Sequence, residues 1–378
     1  PAVVLVAAGV AFLPPLLGDG AFREWIYRAL VLLVISCPCA LVISIPLGYF
    51  GGVGLASKKG ILVKGSNFLD ALTRVGTVVF DKTGTLTKGE FKVASITPMN
   101  GYSREEVLEY AALSESGSNH PIARSILEAY GSLTNSSILS SYKEIPGQGI
   151  QATIRGKEVL TGNNKLLSNN QISHEDFTVD GTLVHVAIDK KYAGYIVISD
   201  TLKEHAKETI ARLKQKGIQT AMLTGDHQTA AQSVATKLGI DTFFAELLPE
   251  EKISHIEKML GGKKKVAFVG DGINDAPVIA RADVGMAMGA LGSDAAIETA
   301  DIVLMTDSPS KVVDAIDVAT KTRNIVWQNI FIALGIKLVF ITMGIAGTAT
   351  MWEAVFADMG VSLIAVFNAI RILKNKTK

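Results

Sequence analysis

Three short apolar runs in the middle of the chain each end at a loop that carries an aspartate. Thr77-Val78-Val79-Phe80 leads into Asp81, Thr220-Ala221-Met222-Leu223 into Thr224-Gly225-Asp226, and Val266-Ala267-Phe268-Val269 into Gly270-Asp271-Gly272. Short continuous apolar runs that stop at acidic loops read as strands buried on both faces of a parallel sheet. Carboxylates gathered there supply the hard oxygens that Mg²⁺ takes together with phosphate oxygens, so Asp81 and Asp271 can hold that ion against a phosphoryl group. Asp81 is also a nucleophile. Its attack on a terminal phosphate makes an acyl phosphate, whose oxygens find partners in Thr83-Gly84-Thr85 and Thr224-Gly225, while Lys252 neutralises the developing charge. One Asp-Gly is more often a surface turn; three in order at strand ends point to a site.

A second chemistry lies in Ser36-Cys37-Pro38-Cys39, which holds both cysteines of the chain. Two cysteines two residues apart make no disulfide framework of the secreted kind. A lone cysteine serves as a small hydrophobe, but this pair flanks a proline inside a stretch, 29–57, without a charged residue. That stretch exceeds the roughly 20 residues needed to cross a hydrocarbon core. Pro38 and Pro46 each remove a backbone donor, so the helix is expected to break near Cys37–Cys39 and free carbonyls at membrane depth. Thiolates beside that break suit Zn²⁺, Cd²⁺, Pb²⁺ or Cu⁺. In the apolar segments 325–347 and 352–372, Lys337 and Asp358 are the charges away from the segment ends, where Glu353 and Arg371 stand. Charges at such depth mark an ion path or a pair. Asp358 balances the second charge of a divalent ion, which Cu⁺ does not require, and Lys337 acts as counter-ion when the site empties.

The elements that must position these residues follow from composition. A chain of 378 residues exceeds one core, and a net charge of +1 from 37 basic and 36 acidic side chains gives no field for nucleic acid. Mean hydropathy is +0.31 with 48% apolar residues, very apolar at the ends and mixed in the middle. Residues 1–17 read as a first membrane helix closed by the turn Gly18-Asp19-Gly20, giving four spans with 29–57, 325–347 and 352–372. Lys58, Lys59, Lys64, Lys321, Arg323, Arg371, Lys374, Lys376 and Lys378 flank these spans and place their ends, and the middle between them, in the cytosol. Helical patterns such as Glu204 to Lys216 alternate with the strands, as in a doubly wound sheet, whose ligands bind at the carboxyl ends. A Ser- and Asn-rich region from about 92 to 195 interrupts that alternation. The start in Pro1-Ala2-Val3-Val4, with no Met and no basic leader, reads as a fragment.

With these residues assembled, the chain resembles the P-type ATPases. Asp81-Lys82-Thr83-Gly84-Thr85, Thr224-Gly225-Asp226 and Gly270-Asp271-Gly272-Ile273-Asn274-Asp275 are similar to the three phosphorylation-domain signatures of that family. The resemblance implies α/β architecture plus membrane α-helices, with a haloacid-dehalogenase-like, doubly wound phosphorylation domain. It assigns catalytic roles to Asp81, Lys82, Thr83, Thr224, Gly225, Asp226, Lys252, Asn274 and Asp275, with Mg²⁺ on Asp81, Thr83 and Asp271. Phosphatases of the same fold place an acid two residues after the nucleophile; Thr83 stands there and activates water poorly, so the acyl phosphate should persist.

Glu115-Ser116-Gly117-Ser118-Asn119-His120-Pro121-Ile122-Ala123, Gly147-Gln148-Gly149 and Gly162-Asn163 resemble the inserted α+β nucleotide-binding domain of the heavy-metal branch. That implies adenine stacking near His120, help from Glu115 and close backbone approach at Gly147, Gly149, Gly162 and Asn163. Asp358-Met359-Gly360-Val361-Ser362-Leu363, with Asn368-Ala369 and Arg371, resembles the zinc, cadmium and lead subgroup, with Cys37, Cys39 and Asp358 as ligands and Lys337 as counter-ion. The expected organisation is two spans in 1–57, a phosphorylation domain in 58–91 and 196–320, a nucleotide domain in 92–195 and two spans in 321–378. The implied activity is ATP-driven export of Zn²⁺, Cd²⁺ or Pb²⁺ across the plasma membrane, with ATP and Mg²⁺ as cofactors and lipid and the ion as partners. A Cu⁺ pump and a membrane-anchored phosphatase are the alternatives. No Thr-Gly-Glu occurs in the chain, so the actuator domain and earlier helices are expected to be missing partners.

Overall fold

The computed structural model describes residues 1–18, 21–118, 120–131, 139–174, 181–289 and 294–373. The expected turn at Asp19-Gly20, Asn119 and the basic residues Lys374, Lys376 and Lys378 lie outside the described residues.

The three apolar runs form neighbouring strands. A seven-stranded sheet has the order Ile61–Val63, Ile302–Leu304, Val284–Met288, Lys265–Gly270, Val75–Asp81, Gln219–Leu223, Thr242–Phe244. Every pairing is parallel except that of Ile61–Val63 with Ile302–Leu304. Val78, Val79, Phe80, Met222 and Phe268 are fully buried, because helices such as Ala206–Gln215, Gln228–Leu238 and Pro249–Met259 bring their apolar sides onto the sheet. Register decides the site. Phe80 lies opposite Val269 and Asp81 opposite Leu223, so the three aspartate loops leave the sheet along one edge.

Between Val75–Asp81 and Gln219–Leu223 the chain builds a second, antiparallel sheet. Its order is Thr87–Pro98, Lys191–Leu202, Thr182–Ile188, Lys157–Gly162, Gly149–Ile154, Leu139–Ile145. Helices Arg104–Glu115 and Pro121–Tyr130 share its core with Ile150, Val186 and Ile196. The boundaries read near 92 and 195 therefore fall inside the paired strands Thr87–Pro98 and Lys191–Leu202, which join the two sheets as a two-stranded ribbon.

Near the termini, the 29–57 stretch is two helices, Phe22–Ile35 and Cys39–Lys58, separated at Pro38 as a missing backbone donor dictates. Phe22–Lys58, Ser310–Gly344 and Met351–Ile370 are the three segments among the described residues long and apolar enough to cross a membrane. Ala2–Leu16, with 15 residues, is shorter than that criterion although it is helical. The expected junction near 321 is absent, because one 36-residue helix, Ser310–Ile345, runs from the sheet domain into the apolar region. Val312, Val313 and Ile316 are buried in the sheet's core, whereas Trp327, Phe331, Leu334 and Leu338 are exposed. No proline interrupts it.

Candidate functional site

Asp81 is the last residue of its strand and nearly buried. Its Oδ1 accepts from Lys252 Nζ at 2.5 Å, and the same ammonium reaches Asp275 Oδ1 at 3.0 Å. Oxygens of Asp81, Asp271 and Asp275 lie within 4.8 Å of one another. Burial, and then the Asp275 charge, push the Asp81 carboxyl up to about 7 against the pull of Lys252. Burial and Asp275 likewise raise Asp271 to about 6. Burial works against the Lys252 charge, but Asp81 and Asp275 outweigh it and hold its pKa above the ordinary lysine value. Three carboxylates against one ammonium leave an excess of negative charge on hard oxygens, a donor set that fits Mg²⁺.

The loop after Asp81 is shaped by close approach. Gly84 has φ +75°, and a Cβ there would stand 1.6 Å from Asp271 Oδ2, so no other residue fits without moving the carboxylate. Thr83 is extended, and the Thr85 hydroxyl is buried with no hydrogen-bond partner in the structure. Lys82 Nζ lies 2.7 Å from Asp226 Oδ2 and 3.7 Å from Asp200 Oδ2. Thr224 Oγ1 donates to Asp226 Oδ2 at 2.9 Å and accepts from the Asp226 N–H at 3.1 Å, closing the loop around Gly225. Asn274 is exposed on the single turn Ile273–Asp275.

Two residues here escaped the sequence reading. Lys203 is buried, donating to the Gly84 carbonyl and to Asp307 Oδ1, which clamps the phosphate loop. Asp200 faces Lys82 and keeps Oδ1 buried without a hydrogen bond. Only Asp200 carried a sequence signal, again an acid following an apolar run, Tyr195-Ile196-Val197-Ile198-Ser199-Asp200.

In the antiparallel domain, Glu115, His120, Gly147, Gly149, Gly162 and Asn163 line one cavity of about 290 Å³, with Ser118, Glu144 and Gln148. Burial, and then the Glu144 charge, raise Glu115 to about 7. Gly149 and Gly162 face each other across paired strands, and a Cβ on either would meet backbone atoms at 2.2 Å. These glycines are thus required by the sheet itself. Asn163 caps Asn164–Asn169 and donates Nδ2 to the Gly147 carbonyl at 2.9 Å. His120 caps Pro121–Tyr130, its Nδ1 accepting from the Ile122 N–H at 3.3 Å.

At the helix break, ligand atoms of Cys37, Cys39 and Asp358 lie within 4.8 Å of one another. The two sulfurs are joined as a disulfide, which differs from the thiolate pair expected from sequence; metal ligation by them requires the reduced form, because the thiolate is the ligand. Lys337 Nζ is 3.6 Å from Asp358 Oδ1 and donates to the Ile35 carbonyl at 3.2 Å.

A family model of haloacid dehalogenase-like hydrolases matches residues 75–283. The chain belongs to that family. Over 99% of its length it is 61% identical to a zinc-transporting ATPase of Synechocystis sp., covering 52% of that protein. It is 56% identical to a cadmium, zinc and cobalt-transporting ATPase of Bacillus subtilis, with all of this chain and 55% of that one covered. A crystal structure of a zinc-transporting PIB-type ATPase in its E2.Pi state superposes with a TM-score of 0.88 at 38% identity, over 99% of this chain and 62% of that one. The resemblance to heavy-metal P-type ATPases is borne out, and so is the haloacid dehalogenase-like fold. The chain spans about half the length of the curated relatives it matches.

Proposed function

We propose that the chain is the catalytic and rear membrane part of an ATP-driven pump for divalent heavy-metal ions, Zn²⁺, Cd²⁺ or Pb²⁺, working through an aspartyl phosphate. The observation that carries this reading is the convergence of Asp81, Asp271, Asp275 and Lys252 at one sheet edge, with Thr83 in place of an acid two residues beyond the nucleophile.

A carboxylate oxygen of Asp81 attacks the terminal phosphorus of ATP; the bond to the bridging oxygen breaks, ADP leaves with that electron pair, and the phosphoryl group stays on Asp81. Lys252 offsets charge on the reacting oxygens, Lys82 and Thr224 hold the Asp226 loop, and Lys203 fixes Gly84. Mg²⁺, when bound by Asp81, Thr83 and Asp271, supplies Lewis-acid charge to the transferring group. Thr83 cannot take a proton from water, so the phosphoenzyme outlives the transfer. Lysine and arginine at Lys58, Lys59, Lys64, Lys321, Arg323 and Arg371 favour a cytosolic catalytic unit, in a plasma-membrane protein. The cavity bearing Glu115 and His120 takes the adenine, within an inserted domain of about 92–195. Reduced Cys37 and Cys39 with Asp358 bind the ion, and the carboxylate favours divalent cargo over Cu⁺.

The test is phosphorylation from γ-labelled ATP. A hydroxylamine-sensitive, acid-stable label is expected in the chain and none in Asp81→Asn. Labelling that survives the substitution contradicts the assignment.

A further inference from the structure

We propose that Glu115 meets the base as an undissociated carboxylic acid and that Glu144, on the same cavity, keeps it in that form, so that the pair turns the choice of nucleotide towards adenine and away from guanine. The inference deepens, and rests on, the reading of this cavity as the adenine site.

Glu115 is the last residue of the helix Arg104–Glu115 and is nearly buried. A helix C-terminus carries unpaired carbonyls and partial negative charge, which opposes a carboxylate there. Among the described residues its carboxyl has no cation or hydrogen-bond donor to offset burial. Glu144 lines the same cavity from the strand Leu139–Ile145 and is exposed. Two carboxyls on one small cavity do not ionise together readily, and the solvated one takes the charge. The other titratable groups on this side are Tyr142, whose hydroxyl lies 3.5 Å from Glu144 Oε2, and His120. His120 Nδ1 accepts from the Ile122 N–H, so that ring is neutral and cancels no charge. Lys143 alternates to the opposite face of its strand, and Arg124 is exposed and does not line the cavity. Lys157 over the Tyr110 ring and Arg155 on Glu109 lie more than a turn back along the helix, and His185 packs with Tyr192 in the other core of the sheet. The rise of Glu115 to about 7 agrees with this arrangement.

An undissociated carboxyl offers a hydroxyl donor and a carbonyl acceptor side by side. Adenine presents the matching pair, N1 as acceptor and the 6-amino group as donor. A carboxylate only accepts: it keeps the bond from the 6-amino group and sets a second lone pair against that of N1. Guanine reverses the preference, because its N1–H and 2-amino group are both donors and a carboxylate takes both in charge-assisted bonds. The acid still reaches guanine through O6 and N1–H, but the 2-amino donor then goes without that partner, which is costly in a buried site. Loss of the proton therefore moves the balance towards guanine. Glu144 is a positioning residue whose charge postpones that loss, and Ser118 and Gln148 beside it add neutral polar groups only.

The full chain in detergent, free of Mg²⁺, is loaded with trinitrophenyl-ATP, and displacement of the probe by ATP and by GTP is followed at stepped pH. The ratio of the two affinities is the reading, because phosphate contacts and the titration of Asp81 act on both nucleotides alike. ATP is expected to be preferred below about pH 7 and the preference to fall about tenfold above it as Glu115 ionises, the worth of one buried hydrogen bond replaced by a contact of lone pairs. Glu115→Gln carries a fixed donor and acceptor, so it should keep the preference and lose its pH dependence. Glu144→Gln should move the fall to lower pH, and Glu144→Asp should leave it in place. If Glu144→Gln does not fold, wild type and Glu115→Gln still decide. A wild-type ratio that is constant with pH, or a Glu115→Gln ratio that still falls, overturns the proposal. A fall that Glu144→Gln leaves unmoved overturns the part of Glu144 in it. Failure of the adenine reading looks different: ATP and GTP then compete equally at every pH, and neither Glu115→Ala nor His120→Ala weakens the binding of either.

Discussion

Lys337 donates through Nζ to the carbonyl of Ile35, 3.2 Å away, the acceptor left open where Pro38 ends the first half of the broken helix. The same ammonium stands 3.6 Å from Asp358 Oδ1, which is buried and has no hydrogen bond. One cation therefore compensates both a freed backbone dipole and a carboxylate in the apolar region.

Lys337→Met is expected to lower thermal stability in detergent by about 1–3 kcal/mol, the cost of a buried acceptor left without a donor. Adding Asp358→Asn should recover part of the loss, since the uncompensated charge goes with it. Differential scanning fluorimetry of the wild type, both single variants and the double variant reads this as a cycle. Additive effects would show that the two residues act separately.

Asp358→Ala, and Cys37→Ala with Cys39→Ala, should each abolish stimulation of ATP hydrolysis by Zn²⁺, Cd²⁺ and Pb²⁺ in a pump carrying this chain. Assays with buffered free metal under reducing conditions compare these ions with Cu⁺. Full Zn²⁺ activation of Asp358→Ala, or stimulation of the wild type by Cu⁺ alone, would rule out the divalent assignment.

Asp81 supplies a pH signature. Its folded pKa of about 7 exceeds the ordinary 3.8, so the folded state holds the proton more tightly than the unfolded one. Stability is then highest below about pH 4 and declines as pH rises towards about 7, with Asp271 adding to the decline up to about 6. In Mg²⁺-free buffer, Asp81→Asn should flatten that slope and leave the protein at least as stable at pH 7.5 as wild type. Urea titrations at stepped pH measure it; an unchanged slope would mean that Asp81 is already ionised across the range.

Gly84→Ala forces Cβ into Asp271 and places alanine at φ +75°. Phosphorylation is expected to drop by about tenfold or more, a barrier rise of about 1.4 kcal/mol or above. Gly89→Ala is the control: φ is +69° and the nearest atom lies 3.9 Å from the added Cβ, so it bears the backbone cost of about 1 kcal/mol alone. Equal effects of the two changes, read by phosphoenzyme formation against Mg²⁺ concentration, would remove the steric argument.

His120→Ala removes both an imidazole and a helix cap. His120→Asn restores the cap, worth about 1 kcal/mol, but not the ring. If the ring stacks on adenine, both variants need more ATP for half-maximal phosphorylation, by about fivefold for a contact of about 1 kcal/mol. Recovery in the asparagine variant would reduce His120 to its structural role.

Much of this protein is legible in its sequence because the relevant signals are local. An apolar run ending in Asp-Lys-Thr-Gly-Thr names a buried strand and a nucleophile together, and Cys-Pro-Cys in an uncharged stretch names a broken helix, since a proline's missing N–H acts within one turn. Pairing across the chain is not local. That Asp81 and Asp271 leave the sheet side by side depends on Phe80 lying opposite Val269, and a register is set by the whole sheet's burial. Lys203 carried no motif; it matters because folding brings its ammonium to Gly84 across 119 residues of chain. Gly149 and Gly162 read as ligand-binding glycines, and packing adds a separate requirement, two strands too close there for any side chain. Junctions at 92, 195 and 321 were drawn from composition, yet hydrogen-bonded strands and one uninterrupted helix run through them. Composition follows solvent and lipid exposure, which can change partway along a rigid element while the backbone continues unbroken.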